Sequence, residues 1–156
     1  MSKKLVAYFS ATGKTKKIAE ALAEKTGADL FRITPAVPYT MDDLNWRSRF
    51  SRSSVEMRDR NSRPALAETL DLSPYDTVYL GFPIWWYVAP TVVNTFLEST
   101  DTAGKRIVLF ATSGCSGFGK TRQELMPSAP DAELIEGAVI SGLFRKSKIE
   151  AIAALG

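Results

Sequence analysis

At 156 residues, 45% hydrophobic and 24% charged, the chain has the proportions of one soluble globular domain over residues 1–156, large enough to bury a substantial core. It has no histidine and a single cysteine, Cys115, which excludes internal disulfides, Cys/His zinc centres, Ser-His-Asp triads and imidazole acid–base chemistry together. The net charge of +3 is only mildly basic, and the apolar runs break well short of the roughly 18–20 residues that a bilayer span requires. A cytoplasmic protein that engages neither membrane nor nucleic acid is expected, its chemistry either carboxylate-based or borrowed from a cofactor.

In chain order, residues 4–9 (KLVAYF) read as a first strand. Lys14 to Lys25 follows as a helix, with Ile18 and Leu22 four apart and Gly27 as its stop signal. Residues 28–33 (ADLFRI) are a second strand. Thr40 followed by Asp43 has the spacing of a capping box, predicting a helix from about Met41 into the fifties, with a second short helix near Ala65 to Leu70. Residues 77–82 and 106–112, rich in β-branched and aromatic side chains, are the third and fourth strands. Between them, Pro90 to Glu98 reads as a short helix with Pro in its first turn and Val93, Phe96 and Leu97 inward. A weaker strand falls within Ala132 to Ile140, and Ser147 to Leu155 closes the chain as a helix. This alternation predicts a parallel sheet with helices on both faces.

The charge is uneven, because Arg47, Arg49, Arg52, Arg58, Arg60 and Arg63 crowd one segment. With Asp42, Asp43, Glu56 and Asp59 interspersed and no nucleic-acid motif nearby, a solvated helix face accounts for it better than a docking patch.

In an open parallel sheet, ligands bind beyond the carboxyl ends of the strands, and three such ends carry unusual residues. The first loop is SATGKT, residues 10–15. Ser10, Thr12 and Thr15 present hydroxyls there, Gly13 permits a tight turn, and the first-turn amides of the next helix are free to point at an anion, so the loop suits a phosphate monoester with no metal required. An ordinary strand-to-helix turn with a threonine cap is the alternative.

In the second loop, residues 81–90, Trp85, Trp86 and Tyr87 are consecutive, and extended neighbours point to opposite sides. At least one therefore lies exposed at the mouth of the sheet, either to stack on a planar ring or to serve as a core plug or dimer contact. The third loop holds GCSGFGKT, residues 114–121, which satisfies the nucleotide-triphosphate spacing G-x-x-x-x-G-K-[ST]. Only 35 residues follow Thr121, and Pro127 and Pro130 cut its helix short. Small residues that let backbone amides approach a flat ligand explain it better than ATP hydrolysis.

With these loops in this order, the sequence resembles the flavodoxin family over nearly its whole length, and its PIWW (83–86) and TSGCSGFGK (112–120) stretches are similar to those of a short-chain branch. SATGKT is similar to that family's [ST]-x-T-G-x-T phosphate loop for the ribityl phosphate of FMN. The resemblance thus implies cofactor contacts from Ser10, Ala11, Thr12, Gly13, Lys14 and Thr15. It further implies ring contacts from Pro83, Ile84, Trp85, Trp86 and Tyr87, and from Thr112, Ser113, Gly114, Cys115 and Gly117 in the second ring loop. The implied fold is a three-layer, doubly wound α/β sandwich on a five-stranded parallel sheet in order 2-1-3-4-5, with residues 35–74 as the crossover between strands two and three.

The implied function is electron carriage between partners through a non-covalent flavin. The alternative is a small FMN-dependent NAD(P)H oxidoreductase acting on quinones or similar acceptors. No catalytic side chain and no metal are expected. Two departures bear on the choice. Residues 83–90 contain no glycine, so a peptide flip towards the flavin costs more and two-electron cycling gains over a stable one-electron stage. The chain is also basic where carrier flavodoxins tend to be acidic, which points to an acidic redox partner or to NAD(P)H itself as donor. Cys115 reads either as a small filler or as a thiol facing the flavin. The oligomeric state, monomer or homodimer, stays open.

Overall fold

A computed structural model describes residues 3–114, 116–142 and 144–156. The apolar runs become β1 (Lys3–Tyr8), β2 (Asp29–Arg32), β3 (Tyr75–Pro83), β4 (Arg106–Thr112) and β5 (Glu133–Ile140). All neighbouring strands pair in parallel, in the order β2-β1-β3-β4-β5. Strand periodicity divides the core in two. Leu5, Ala7, Val78, Leu80, Ile107 and Leu109 face one side of the sheet, while Val6, Tyr8, Tyr79, Val108 and Phe110 face the other.

On the second face lie α1 (Lys14–Thr26) and α5 (Arg145–Ala154), which bury Ile18, Leu22, Ile149 and Ile152. Gly27 ends α1 in the left-handed conformation, and its amide donates to the Ala23 carbonyl at 2.9 Å, as an αL cap should. The first face is covered by α3 (Thr91–Glu98), which starts after Pro90 and buries Val92, Val93, Phe96 and Leu97 almost completely. Each such side chain contributes about 1.5–3 kcal/mol through burial. A five-residue helix, α4 (Thr121–Leu125), packs Leu125 into the same core before a 3₁₀ turn over Met126–Ser128.

The crossover from β2 to β3 departs from the predicted helices. The capping box forms: the Thr40 amide donates to Asp43 Oδ2 at 2.9 Å and the Asp43 amide to Thr40 Oγ1 at 3.1 Å. No helix propagates from it, and residues 41–50 are a run of turns. Side chains there compete for the backbone, with Asn45 Oδ1 accepting from the Arg47 amide and Ser48 Oγ from the Phe50 amide. Trp46 and Phe50 remain exposed, so no apolar face rewards a helix.

The helix begins only at α2 (Arg52–Arg58), capped by Ser51, whose side chain accepts from the Ser54 amide. The arginine-bearing segment is therefore a helix face over that stretch alone. The second predicted helix, near Ala65 to Leu70, is extended instead. Leu66 bridges Pro35 in antiparallel fashion, with the Ala36 amide donating to the Ala65 carbonyl and the Ala67 amide to the Thr34 carbonyl.

Candidate functional site

The carboxyl ends of β1, β3, β4 and β5 open into one cleft of about 500 Å³, inside the ~300–1,000 Å³ range of small-molecule sites. Of the sequence-predicted residues it gathers Ala11, Thr12, Lys14, Thr15, Pro83, Ile84, Trp85, Thr112, Ser113 and Gly114 along its walls.

At one end, the turn from β1 into α1 is braced from within. Ser10 is buried, and its Oγ accepts from the Gly13 amide at 3.0 Å and the Lys16 amide at 3.3 Å. Gly13 precedes the helix at φ 94°, a left-handed conformation that side-chain-bearing residues adopt only under strain. Ser10 and Gly13 thus shape the loop without lining the cleft. The amides of Thr12, Lys14 and Thr15 make no hydrogen bond among the described residues. Thr15 is buried, and its Oγ1 lies 2.8 Å from Thr112 Oγ1, tying the first loop to the end of β4.

At the other end stands Trp85. Its ring meets Tyr39 edge-on at 5.5 Å and Phe9 at 5.8 Å, and those two rings meet each other at 5.6 Å. Each such pair contributes about 0.5–1.5 kcal/mol beyond area burial, so the indole is fixed in place. The Arg52 guanidinium lies 3.8 Å from the centre of the Tyr39 ring and pairs with Glu56 Oε2 at 3.0 Å, while the Tyr39 hydroxyl donates to Glu56 Oε1. Burial first, then the bond to Glu56, push the Tyr39 phenol far above its ordinary range.

Trp86 and Tyr87 do not line the cleft. They form the tip of a two-residue turn, closed by the Trp85 amide donating to the Val88 carbonyl at 2.9 Å and the Val88 amide returning at 3.2 Å. Both have positive φ, 48° and 68°, the pattern of a type I′ turn that asparagine and glycine normally supply. Two bulky residues held there cost about 1–3 kcal/mol each, strain that collects at functional sites. Trp86 is 43% and Tyr87 67% exposed, in keeping with the expectation of an exposed aromatic at the mouth of the sheet.

The octet at 114–121 does not build a triphosphate cradle. Its last glycine, Gly119, lies beneath the Tyr87 backbone, the Lys120 amide donates to the Tyr87 carbonyl at 3.2 Å, and the Thr121 hydroxyl turns back to the Phe118 carbonyl. Thr121 is fully buried, and α4 beyond it ends after five residues. Ser113 Oγ accepts from the Ser116 amide at 3.0 Å, curling the strand end over the cleft. Gly117 lies off the cleft wall, and Cys115 falls outside the described residues.

A fourth wall was missed by sequence reasoning. Ile140, Ser141, Gly142 and Arg145, at the end of β5 and the start of α5, also line the cleft. The signal was present: a Ser-Gly pair directly after a β-branched run, with a basic helix start behind it, again at the carboxyl end of a parallel strand.

Comparison with known proteins agrees with this fold. The family model described as Flavodoxin matches residues 3–153. A candidate flavoprotein from Bacteroides eggerthii DSM 20697 is 44% identical, with a TM-score of 0.91 over 99% of this chain and 98% of that one. Another from Bacteroides uniformis ATCC 8492 is 47% identical, with a TM-score of 0.90 over 97% of each chain. A more distant fold neighbour is a flavoprotein in complex with FMN from Lactobacillus acidophilus NCFM, 20% identical, with a TM-score of 0.70 over 89% of this chain and 92% of that one. No curated protein matches the chain.

Proposed function

The chain belongs to the flavodoxin family, and from that premise we propose that it binds FMN without a covalent link in the cleft between its strand-end loops and passes electrons between partners through the flavin. One observation carries the reading: the ends of four strands supply a single cleft with hydroxyls and free amides at one end and a fixed indole at the other.

The donor set suits a phosphate monoester on a flat aromatic ligand. Thr12 and Thr15 bring hydroxyls, and the unpaired first-turn amides of α1 bring fixed dipoles that cost no reorganisation on binding. Ser10 holds that loop in shape through the two amides it accepts, and among the described residues its hydroxyl donates to no acceptor. Pro83, Ile84 and Trp85 form an apolar wall on the β3 side, and Ser113 and Gly114 bring backbone within reach on the β4 side. When bound, FMN supplies the redox chemistry, and the protein's part is to hold it, desolvate it and set its potential. The L. acidophilus flavoprotein, solved with FMN, shares the fold and supports the choice of cofactor.

The second reading, a small NAD(P)H:acceptor oxidoreductase, is favoured by the Trp86–Tyr87 tip. A turn already locked at positive φ by bulky residues resists the peptide flip that stabilises one-electron flavin chemistry, which favours two-electron traffic.

The deciding experiment starts from the absorption spectrum of the purified protein and chromatography of the heat-released pigment, expected to be FMN. Replacing Thr12 and Thr15 together by leucine is expected to abolish the yellow colour, and retention of colour overturns the phosphate assignment. Bleaching by NADPH without a partner reductase selects the oxidoreductase, whereas bleaching only with a reductase protein present selects the carrier.

A further inference from the structure

The cleft carries more positive charge than a neutral phosphate loop needs. Lys14, Lys17 and Arg145 all line it, and no carboxylate does. None of the three enters an ion pair among the described residues, although five other ion pairs form there. Lys14 and Lys17 come from the first turn of α1, and Arg145 comes from the start of the neighbouring helix α5. Three cations thus share one cleft, and among the described residues no carboxylate lies within ion-pair distance of any of them.

That arrangement is costly by itself. Like charges around one cleft repel, and Arg145 stands at a helix start, where the helix dipole disfavours positive charge. Neither α1 nor α5 has an acidic residue in its first turn to offset this. An occupant with two negative charges at one end removes the repulsion; a neutral occupant leaves it in place.

We propose that Arg145, with Ser141 and Gly142 beside it, is the second wall of the flavin phosphate site and makes the cleft selective for the dianionic FMN over uncharged riboflavin. This rests on the FMN reading above and adds to it a residue from the opposite end of the sequence. Arg145 acts here as a binding and positioning residue, and no proton or electron passes through it.

The test titrates the full chain, freed of bound flavin, with FMN and with riboflavin at low and at high salt, for wild type, Arg145→Gln and Lys146→Gln. Lys146 shares the helix turn but not the cleft, so it controls for the general field. Arg145→Gln is expected to weaken FMN by roughly five- to tenfold and to flatten its salt dependence. It should leave riboflavin within about a factor of two, and Lys146→Gln should leave both ligands near wild type. Thermal melts of the flavin-free proteins check that each variant is folded. Equal losses for FMN and riboflavin, no loss of FMN, or an equal loss in Lys146→Gln each overturn the proposal while leaving the FMN reading intact. Failure of the wild type to bind either flavin overturns both.

Discussion

Gly119 lies under Tyr87 so closely that a Cβ at position 119 would come within 2.3 Å of the Tyr87 carbonyl oxygen. The neighbouring Lys120 amide donates to that same oxygen at 3.2 Å. The loop after β4 thus supports the turn after β3, and the octet that imitates a nucleotide loop owes its glycine to packing rather than to phosphate.

Gly119→Ala is therefore expected to be poorly tolerated. The position has φ 56°, and the obstructing atom is backbone, which cannot rotate away. A loss on the order of 2–4 kcal/mol follows from left-handed strain and overpacking together. Urea unfolding measures it, and flavin affinity should fall in parallel as the Trp85–Val88 turn shifts. A variant as stable as wild type would mean that the two loops move independently.

Trp86 and Tyr87 invite the opposite substitution. Replacing them by Asn and Gly supplies the residues that a type I′ turn prefers and gives up little burial, since both side chains are largely exposed. After the entropy cost of the new glycine, a net gain of about 1 kcal/mol or more in stability is expected. With a glycine present the peptide flips more readily, so a redox titration of the variant should separate its two one-electron steps further than in wild type. Unchanged stability would show that the turn carries no strain, and unchanged titration would disconnect it from the flavin.

The Thr15–Thr112 contact links the first loop to β4 in a buried setting. Thr15→Val and Thr112→Val each leave one hydroxyl without its partner, costing about 1–3 kcal/mol, while the double variant removes both polar groups. A double-mutant cycle should therefore give a coupling of about 0.5–1.5 kcal/mol, with the pair less damaging than the sum. Strict additivity would contradict the hydrogen bond.

How far the sequence alone reached can be judged residue by residue. The strand positions were legible because strands buried on both faces read as continuous apolar runs, as at Ile107 to Ala111, whereas the order of the strands in the sheet came only from the family resemblance. The first loop was legible because hydroxyls and glycine crowd into six residues. The crossover was not: the Thr40–Asp43 capping box forms as its spacing predicts, yet nothing downstream offers the apolar stripe that a helix needs, and Asn45 and Ser48 draw the backbone into turns. Arg145 was missed for another reason. Its role depends on α5 lying beside α1, joined farther along by Lys25 and Glu150 at 3.9 Å, and local periodicity does not encode that neighbourhood.

Tyr39 gives stability a signature at alkaline pH. Burial and the bond to Glu56 raise its phenol in the folded chain, while an unfolded tyrosine ionises near pH 10. Below about pH 10 both states hold the proton and the contribution is complete. Above it the unfolded state releases a proton that the folded state keeps, so stability falls with rising pH, by up to about 1.4 kcal/mol per unit for one group. Tyr8, Tyr75 and Tyr79 are also raised, so wild type alone does not isolate Tyr39. Tyr39→Phe does, because it keeps the ring against Phe9, Trp85 and Arg52 and removes only the hydroxyl. At neutral pH the variant should be less stable by about 1–2 kcal/mol, since the Glu56 carboxylate loses a donor. The gap between the two proteins should then narrow through pH 10 and above as wild type loses more with each unit. Urea unfolding at neutral and alkaline pH measures both, and a constant gap would mean that the Tyr39 phenol is not held neutral beside Trp85.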